Sequence, residues 1–246
     1  MLSHERMLHV VDLFDLDHPE WSFEALIAET GYSRSTLYRY LKTLTDFGLL
    51  ATLPGKGYTL GPRIIELDYQ ILTTDPVIHA ARPVMIELVK SVAGVSLLCR
   101  RYREHVLCVH QESSAPDLRS NYVRGRSRPL MRGAASLAIL CNFSSYQLKK
   151  LYDQDPKTFV QAGLGGTLAE VRETLRQMRG AGWVHTEGQV TEGVTGVAAP
   201  IFDSGDEVVG SLSVTLPQAR ISEEKLAAVG ERVRFCARVI SNSLRE

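Results

Sequence analysis

Leu26-Ile-Ala-Glu-Thr-Gly31-Tyr-Ser33-Arg-Ser-Thr-Leu37-Tyr-Arg-Tyr-Leu41-Lys-Thr-Leu44-Thr-Asp-Phe-Gly48-Leu-Leu50 decides how the first part of this chain folds. Leu37, Leu41 and Leu44 recur at helical spacing, with Tyr40 and Phe47 flanking them. Ser33 stands where an N-cap belongs, and Gly48 follows as a stop. Upstream, Ser22 precedes a second short pattern, Phe23, Leu26 and Ile27, which Gly31 ends. Two short helices joined at Gly31-Tyr32-Ser33 have the spacing of a helix-turn-helix. With the leucines facing inward, Arg34, Ser35, Thr36, Tyr38, Arg39 and Lys42 fall at or near the solvent face of the second helix. These hydrogen-bonding and cationic side chains suit base edges and phosphates.

The surroundings extend this reading. Leu8, Val11, Leu13 and Phe14 predict a preceding amphipathic helix. Leu49 to Leu53 and Tyr58 to Leu60 predict a hairpin whose tip, Pro54-Gly55-Lys56-Gly57, carries Lys56 between two glycines. A helix-turn-helix followed by a hairpin is a winged helix. The protein as a whole is neutral, with 28 Lys and Arg against 28 Asp and Glu, so no uniform basic coat exists. Charge is nevertheless segregated. Residues 1–30 hold one arginine against seven acids, whereas residues 31–63 hold five basic residues against one acid. A basic stretch on a recognition helix fits DNA, although charge alone fits a solvated helix face equally well.

The rest of the 246 residues reads as a linker and a larger domain. A helical run from Ile64 to Thr74 is broken by Pro76, and a second helix follows from Val77 to Val92, with Pro83 inside it. Strands are predicted at Val95–Arg100, His105–Gln111, Arg119–Val123, Trp183–Thr186, Gly196–Phe202 and Val208–Thr215. Helices are predicted at Gly133–Asn142, Ser145–Tyr152 and Thr167–Arg179, with a last one capped by Ser222 and running to Leu244. The class is therefore α+β, with an antiparallel-rich sheet and helices packed on it. The expected division is a DNA-binding domain at 1–62, a linker helix at 63–75 and an α/β domain at 76–246.

Other chemistry finds little support. Gln177, Gly180 and Gly182 mimic an acyl-CoA loop but close a helix, and Gly163-Leu-Gly-Gly166 lacks a dinucleotide fingerprint. His185 and Glu187 could share a metal, but no third ligand is evident. The expectation is no catalytic residues, no metal and no cofactor. The four cysteines are scattered, which fits reduced core thiols, and the N-terminus does not read as a signal peptide. No apolar run is long enough for a membrane span, so a cytoplasmic protein is expected. Between Arg119 and Arg132 stand Arg119, Arg124, Arg126, Arg128 and Arg132 with no Asp or Glu after Arg119. Arginine forks fit carboxylates, so one of these is expected to help hold an organic acid, aromatic in view of the neighbouring Tyr122. An exposed basic loop, or salt bridges across a subunit interface, would use the same residues.

The stretch 26–50 with Tyr58-Thr-Leu-Gly-Pro-Arg63 resembles the winged-helix half of IclR-family transcriptional regulators. Gly125-Arg-Ser-Arg-Pro-Leu130 resembles the family's Gly-x-x-x-Pro-Leu segment. Met178-Arg-Gly-Ala-Gly-Trp183, Gly193, Val197-Ala-Ala-Pro-Ile-Phe-Asp203 and Val208-Val-Gly-Ser-Leu-Ser-Val214 resemble its C-terminal signatures, in order. The resemblance implies a GAF-like effector domain and assembly as dimers or dimers of dimers. It also implies double-stranded DNA as a partner, through a palindromic operator, with binding modulated by a small molecule. It places Ser120, Tyr122, Ala134, Ala135, Thr186, Glu187, Gly196, Ser213 and Thr215 around the effector. The sequence departs from the pattern at Ala134-Ala-Ser-Leu137, where the family usually reads Ala-x-Gly-Lys. It departs again at Leu216-Pro217 in place of Gly-Pro, and at Gly196 in place of a common Cys. The competing reading is a small-molecule-binding protein or enzyme whose winged helix serves protein contacts.

Overall fold

The computed structural model describes residues 2–114, 123–218 and 221–245. The chain divides into two compact units, Met1–Thr74 and Asp75–Glu246.

The first unit comprises α1 (Ser3–Asp12), β1 (Glu20–Trp21), α2 (Phe23–Thr30), α3 (Arg34–Asp46), β2 (Leu50–Leu53), β3 (Gly57–Leu60) and α4 (Pro62–Thr74). The side chain of Ser22 accepts from the Ala25 amide and that of Ser33 from the Thr36 amide, so each helix of the pair starts on its own cap. Gly31 closes α2 in the left-handed conformation, at φ 66°. Leu26, Leu37, Leu41, Leu44 and Leu50 meet Val10 and Phe14 in one core. Each fully buried leucine contributes about 1.5–3 kcal/mol of hydrophobic stabilisation. Two expectations change here. Leu8 is 55% exposed, and the inward positions of α1 are Val10 with Met7 and Val11, one turn apart. Tyr40 lies in the core and Phe47 in solvent, so the two flanking aromatics part. The wing is also larger than a hairpin. β1 pairs with β3 to give a three-stranded sheet in the order β1-β3-β2. Gly57 makes this possible. Its φ is +116°, and a Cβ there would stand 2.2 Å from the Trp21 carbonyl oxygen.

The second unit begins with α5 (Pro76–Ser91), capped by Asp75, whose carboxylate accepts from the Val77 and Ile78 amides. The same carboxylate pairs with Arg100 at 2.7 Å. There follow β4 (Val95–Tyr102), β5 (His105–Ser113), β6 (Ser127–Pro129), α6 (Ala134–Leu140), α7 (Ser145–Gln154), α8 (Pro156–Gln161) and α9 (Leu168–Gly180). The unit ends with β7 (Val184–Glu187), β8 (Val194–Phe202), β9 (Val208–Pro217) and α10 (Glu223–Ser243). The six strands form one antiparallel sheet, ordered β6-β5-β4-β9-β8-β7. Val95, Leu97 and Cys99 on β4 share a core with α6 to α9. The alternate residues Leu98, Val197, Leu212 and Val214 are buried outside that cluster, toward α5 and α10, which pack on the sheet and on each other. The predicted strand at 119–123 lies outside the described residues except for Val123, which is not in a strand. β6 and α8 are additions to the sequence reading. Gly180 ends α9, so the Gln177–Gly182 motif is a helix terminus.

β7 is short, and its pairing with β8 stops at Val184–Ala198. β8 continues for four more residues as the bare edge of the sheet. Pro200 brings no N–H to that edge, and the Phe202 N–H is donated to the Ser241 hydroxyl at 3.0 Å.

Candidate DNA interface and effector cavity

The outward side of α3 presents Arg34, Ser35, Tyr38, Arg39 and Lys42, all exposed, while Thr36 is half-buried and its hydroxyl accepts a bond from Ser33. The cations do not stand free. Both Arg34 terminal nitrogens donate to Glu24 at 2.8 Å, and the guanidinium lies 5.2 Å over the Phe23 ring. Hydrogen bonding to Glu24 raises the Arg34 pKa further. Lys42 is held at 2.9 Å by Asp46, whose hydrogen bond raises its pKa too. Lys56, at the wing tip, sits 3.3 Å from Glu20 on β1. Arg39 instead lies over the Tyr40 ring, 5.9 Å from its centroid, and among the described residues it has no carboxylate partner. Exposed pairs of this kind contribute little in water, so a phosphate can replace the carboxylate at little cost. Sequence spacing reveals the Lys42–Asp46 pair, four residues apart on a helix. Glu24 and Glu20 are brought in by the fold.

In the second unit, a small cavity of about 40 Å³ opens between the start of α6, the ends of β8 and β9, and the β7–β8 connection. It brings together Ala134, Ala135, Thr186, Gly196, Ser213 and Thr215 from the expected set, with Arg132 from the arginine run. Ser213 and Thr215 alternate on β9, so their hydroxyls share a face. Thr186 accepts the Ala134 amide at 3.1 Å. Gln189 accepts the Gly133 amide at 3.0 Å, and its carbonyl accepts from Arg132 Nε, which ties the β7–β8 connection to the start of α6. Sequence reasoning missed Leu97, Val190 and Val194, which supply most of the apolar wall, and the polar Gln189 beside them. Leu97 read only as a strand residue, and the connection carried no periodic signal.

The remaining expected residues lie elsewhere. Glu187 does not line the cavity; its carboxylate accepts from Gln218 at 2.9 Å. Arg124 donates to the Val109 carbonyl at 2.9 Å, Arg128 sits on β6 opposite Val106, and Arg126 adjoins it. None of these three reaches the cavity. Arg119, Ser120 and Tyr122 lie outside the described residues. No group of three or more His, Cys, Asp or Glu side chains suited to a metal occurs among the described residues.

Comparison with known proteins places these two units. Residues 3–54 match the family described as IclR helix-turn-helix domain, and residues 69–242 match Bacterial transcriptional regulator IclR C-terminal. The chain belongs to the IclR family. It is a DNA-binding transcriptional regulator, with a winged helix-turn-helix followed by the family's α/β effector domain. The HTH-type transcriptional regulator KdgR of Escherichia coli is 27% identical over 211 residues, covering 85% of this chain and 80% of its own. KipR of Bacillus subtilis, named likewise as a transcriptional regulator, is 22% identical over 242 residues, covering 97% and 95%. The fold is shared with an IclR homologue from Microbacterium hydrocarbonoxydans solved with 4-hydroxybenzoate, at TM-score 0.77, 21% identity and 99% coverage of each chain. No helix among the described residues is long and apolar enough to cross a membrane.

Within this IclR chain, the departures from the family pattern acquire a location. Gly196 lies 3.5 Å from Ala134 and 3.7 Å from Thr186, measured from where a Cβ would stand. Both of those neighbours line the cavity, so a side chain at this position would take up space there and glycine leaves it wider. Leu137 is buried in the α6 core, where a lysine could not stay charged without a partner.

Proposed function

We propose that this regulator binds a palindromic operator as a homodimer, or a dimer of dimers, and releases or tightens that grip when an organic acid, aromatic in character, enters the Arg132 cavity. The cavity carries the proposal. It places one guanidinium and the hydroxyls of Ser213 and Thr215 around a space walled by Leu97, Val190 and Val194. That is the composition of a small-ligand site, apolar with few fixed polar groups. The 4-hydroxybenzoate held by the Microbacterium homologue supports the ligand class. α4 supports the dimer, since it buries none of its residues and exposes Ile65, Tyr69 and Ile71 in the single chain. On DNA, α3 reads the major groove through Arg34, Ser35, Thr36, Tyr38, Arg39 and Lys42, while Lys56 meets phosphate. The protein works in the cytoplasm, where its operator is.

The test is a calorimetric titration of benzoate, 4-hydroxybenzoate and aliphatic acids, beside operator binding across a salt series. One acid is expected to bind and to change operator affinity. Arg132→Ala should cost about 1.5–3 kcal/mol of that acid's affinity, as expected for a hydrogen bond to a charged group. Unchanged affinity in that variant would exclude Arg132 as the carboxylate partner.

A further inference from the structure

A second and larger cavity, of about 380 Å³, lies at the other end of the sheet's β7–β8 edge. Its floor is the bare end of β8, with Pro200 and Phe202, and the indole of Trp183. Its walls carry Arg179 from the end of α9 and Arg234, Arg238 and Arg245 from α10 and just beyond it. No Asp or Glu lines it. Four guanidinium groups converge on this cavity, and the acids that border it are Glu231, which accepts from Arg234 and, at 3.2 Å, from the Trp183 indole N–H, and Asp206, which pairs with Arg245.

The four are not equivalent. Arg234 is paired with Glu231, and Arg245 with Asp206. Arg179 and Arg238 have no carboxylate partner among the described residues, although Arg238 lies over the Phe235 ring. Arg179 is in the last turn of α9, where a cation also complements the helix end. Arg238 is more than a turn short of the end of α10 and has no such role. Two unpaired forks, facing a cavity with an aromatic and aliphatic floor, form a site for an anion with two charges and an apolar body. Cys141, also in the lining, adds no opposing charge, because burial pushes its thiol up to about 12.

We propose that this cavity binds a small organic dianion, an aromatic dicarboxylate or phosphomonoester, through Arg179 and Arg238, as a site separate from the Arg132 cavity. The two sites share no lining residue. The proposal therefore stands whether or not the Arg132 cavity takes an acid.

Trp183 makes the site self-reporting. The chain has two tryptophans, and Trp21 lies in the other unit. In full-length Trp21→Phe protein, phthalate and phenyl phosphate are titrated against Trp183 fluorescence, with benzoate as the singly charged control. Saturable quenching by phthalate or phenyl phosphate, weaker for benzoate, is expected. The double variant Arg179→Ala/Arg238→Ala should weaken it at least about tenfold, as for loss of charge-assisted bonds, while Arg132→Ala leaves it unchanged. Phthalate binding alone assigns the site to dicarboxylates, and phenyl phosphate binding alone assigns it to phosphomonoesters. No saturable change with either probe, or quenching that survives the double variant, overturns the proposal. Both arginines are exposed, and an unchanged thermal melt confirms that the variant is folded.

Discussion

Among the described residues, Arg39 differs from Arg34, Lys42 and Lys56 in lacking a carboxylate to hold it. It should therefore be the base-reading group most sensitive to removal. Arg39→Ala is expected to cost about 1–3 kcal/mol of operator binding and to relax sequence preference, measured by mobility shift on operator variants. Lys56→Ala should weaken all duplexes alike and lower the salt slope by about one. Glu24 acts in the opposite sense. Its carboxylate occupies both Arg34 nitrogens and adds negative charge beside the proposed DNA-reading surface. Glu24→Gln should strengthen binding and steepen the slope of log K against log salt by about 0.9, the value for one more neutralised phosphate. The thiols give a pH prediction. Burial pushes the Cys141 thiol up to about 12, from an ordinary 9.0. Between those values the unfolded chain loses a proton that the folded chain retains, so stability falls as pH rises through that window. At pH 8 the four buried cysteines should resist iodoacetamide until the chain is denatured, as read by mass spectrometry.

At the scale of elements, the wing depends on Gly57. Gly57→Ala would both strain a positive φ and drive a methyl group into the Trp21 carbonyl. It should cost the first unit at least about 1–3 kcal/mol, visible as a lower melting temperature. The sequence revealed the elements that signal their own ends. Ser22, Ser33 and Ser222 each cap the helix expected of them, and the two-residue turn Arg103-Glu104 joins the strands predicted on either side. What stayed hidden was defined by partners rather than by periodicity. β1 is two residues long and exists because β3 lies beside it, and β6 is three residues recruited by the edge of β5. The same division holds for the sites. Ala134, Ala135, Gly196, Ser213 and Thr215 were reached through family motifs, and the fold brings them together around one cavity. Arg179 and Arg238 stand almost sixty residues apart on two helices, and no spacing rule joins them.

On the scale of the whole molecule, each unit has its own core. Leu26, Leu37 and Leu41 stabilise the first, while Leu97, Ile139 and Phe159 stabilise the second. A fragment beginning at Asp75 keeps the cap of α5 and the Asp75–Arg100 pair, so it should fold alone and melt cooperatively by calorimetry. The full chain should then show a second transition that the fragment lacks. The bare end of β8 bears on how such molecules behave when crowded together. An open sheet margin is a template on which strands from neighbouring chains can pair, one route by which soluble proteins begin to form fibres. Here Pro200 has no hydrogen to offer, and that of Phe202 is already given to Ser241. A foreign strand arriving at this margin would find those two rungs of its ladder missing. Concentrated solutions should accordingly stay free of amyloid-type stacking at this edge, and a Pro200→Val chain should be the one that thickens first.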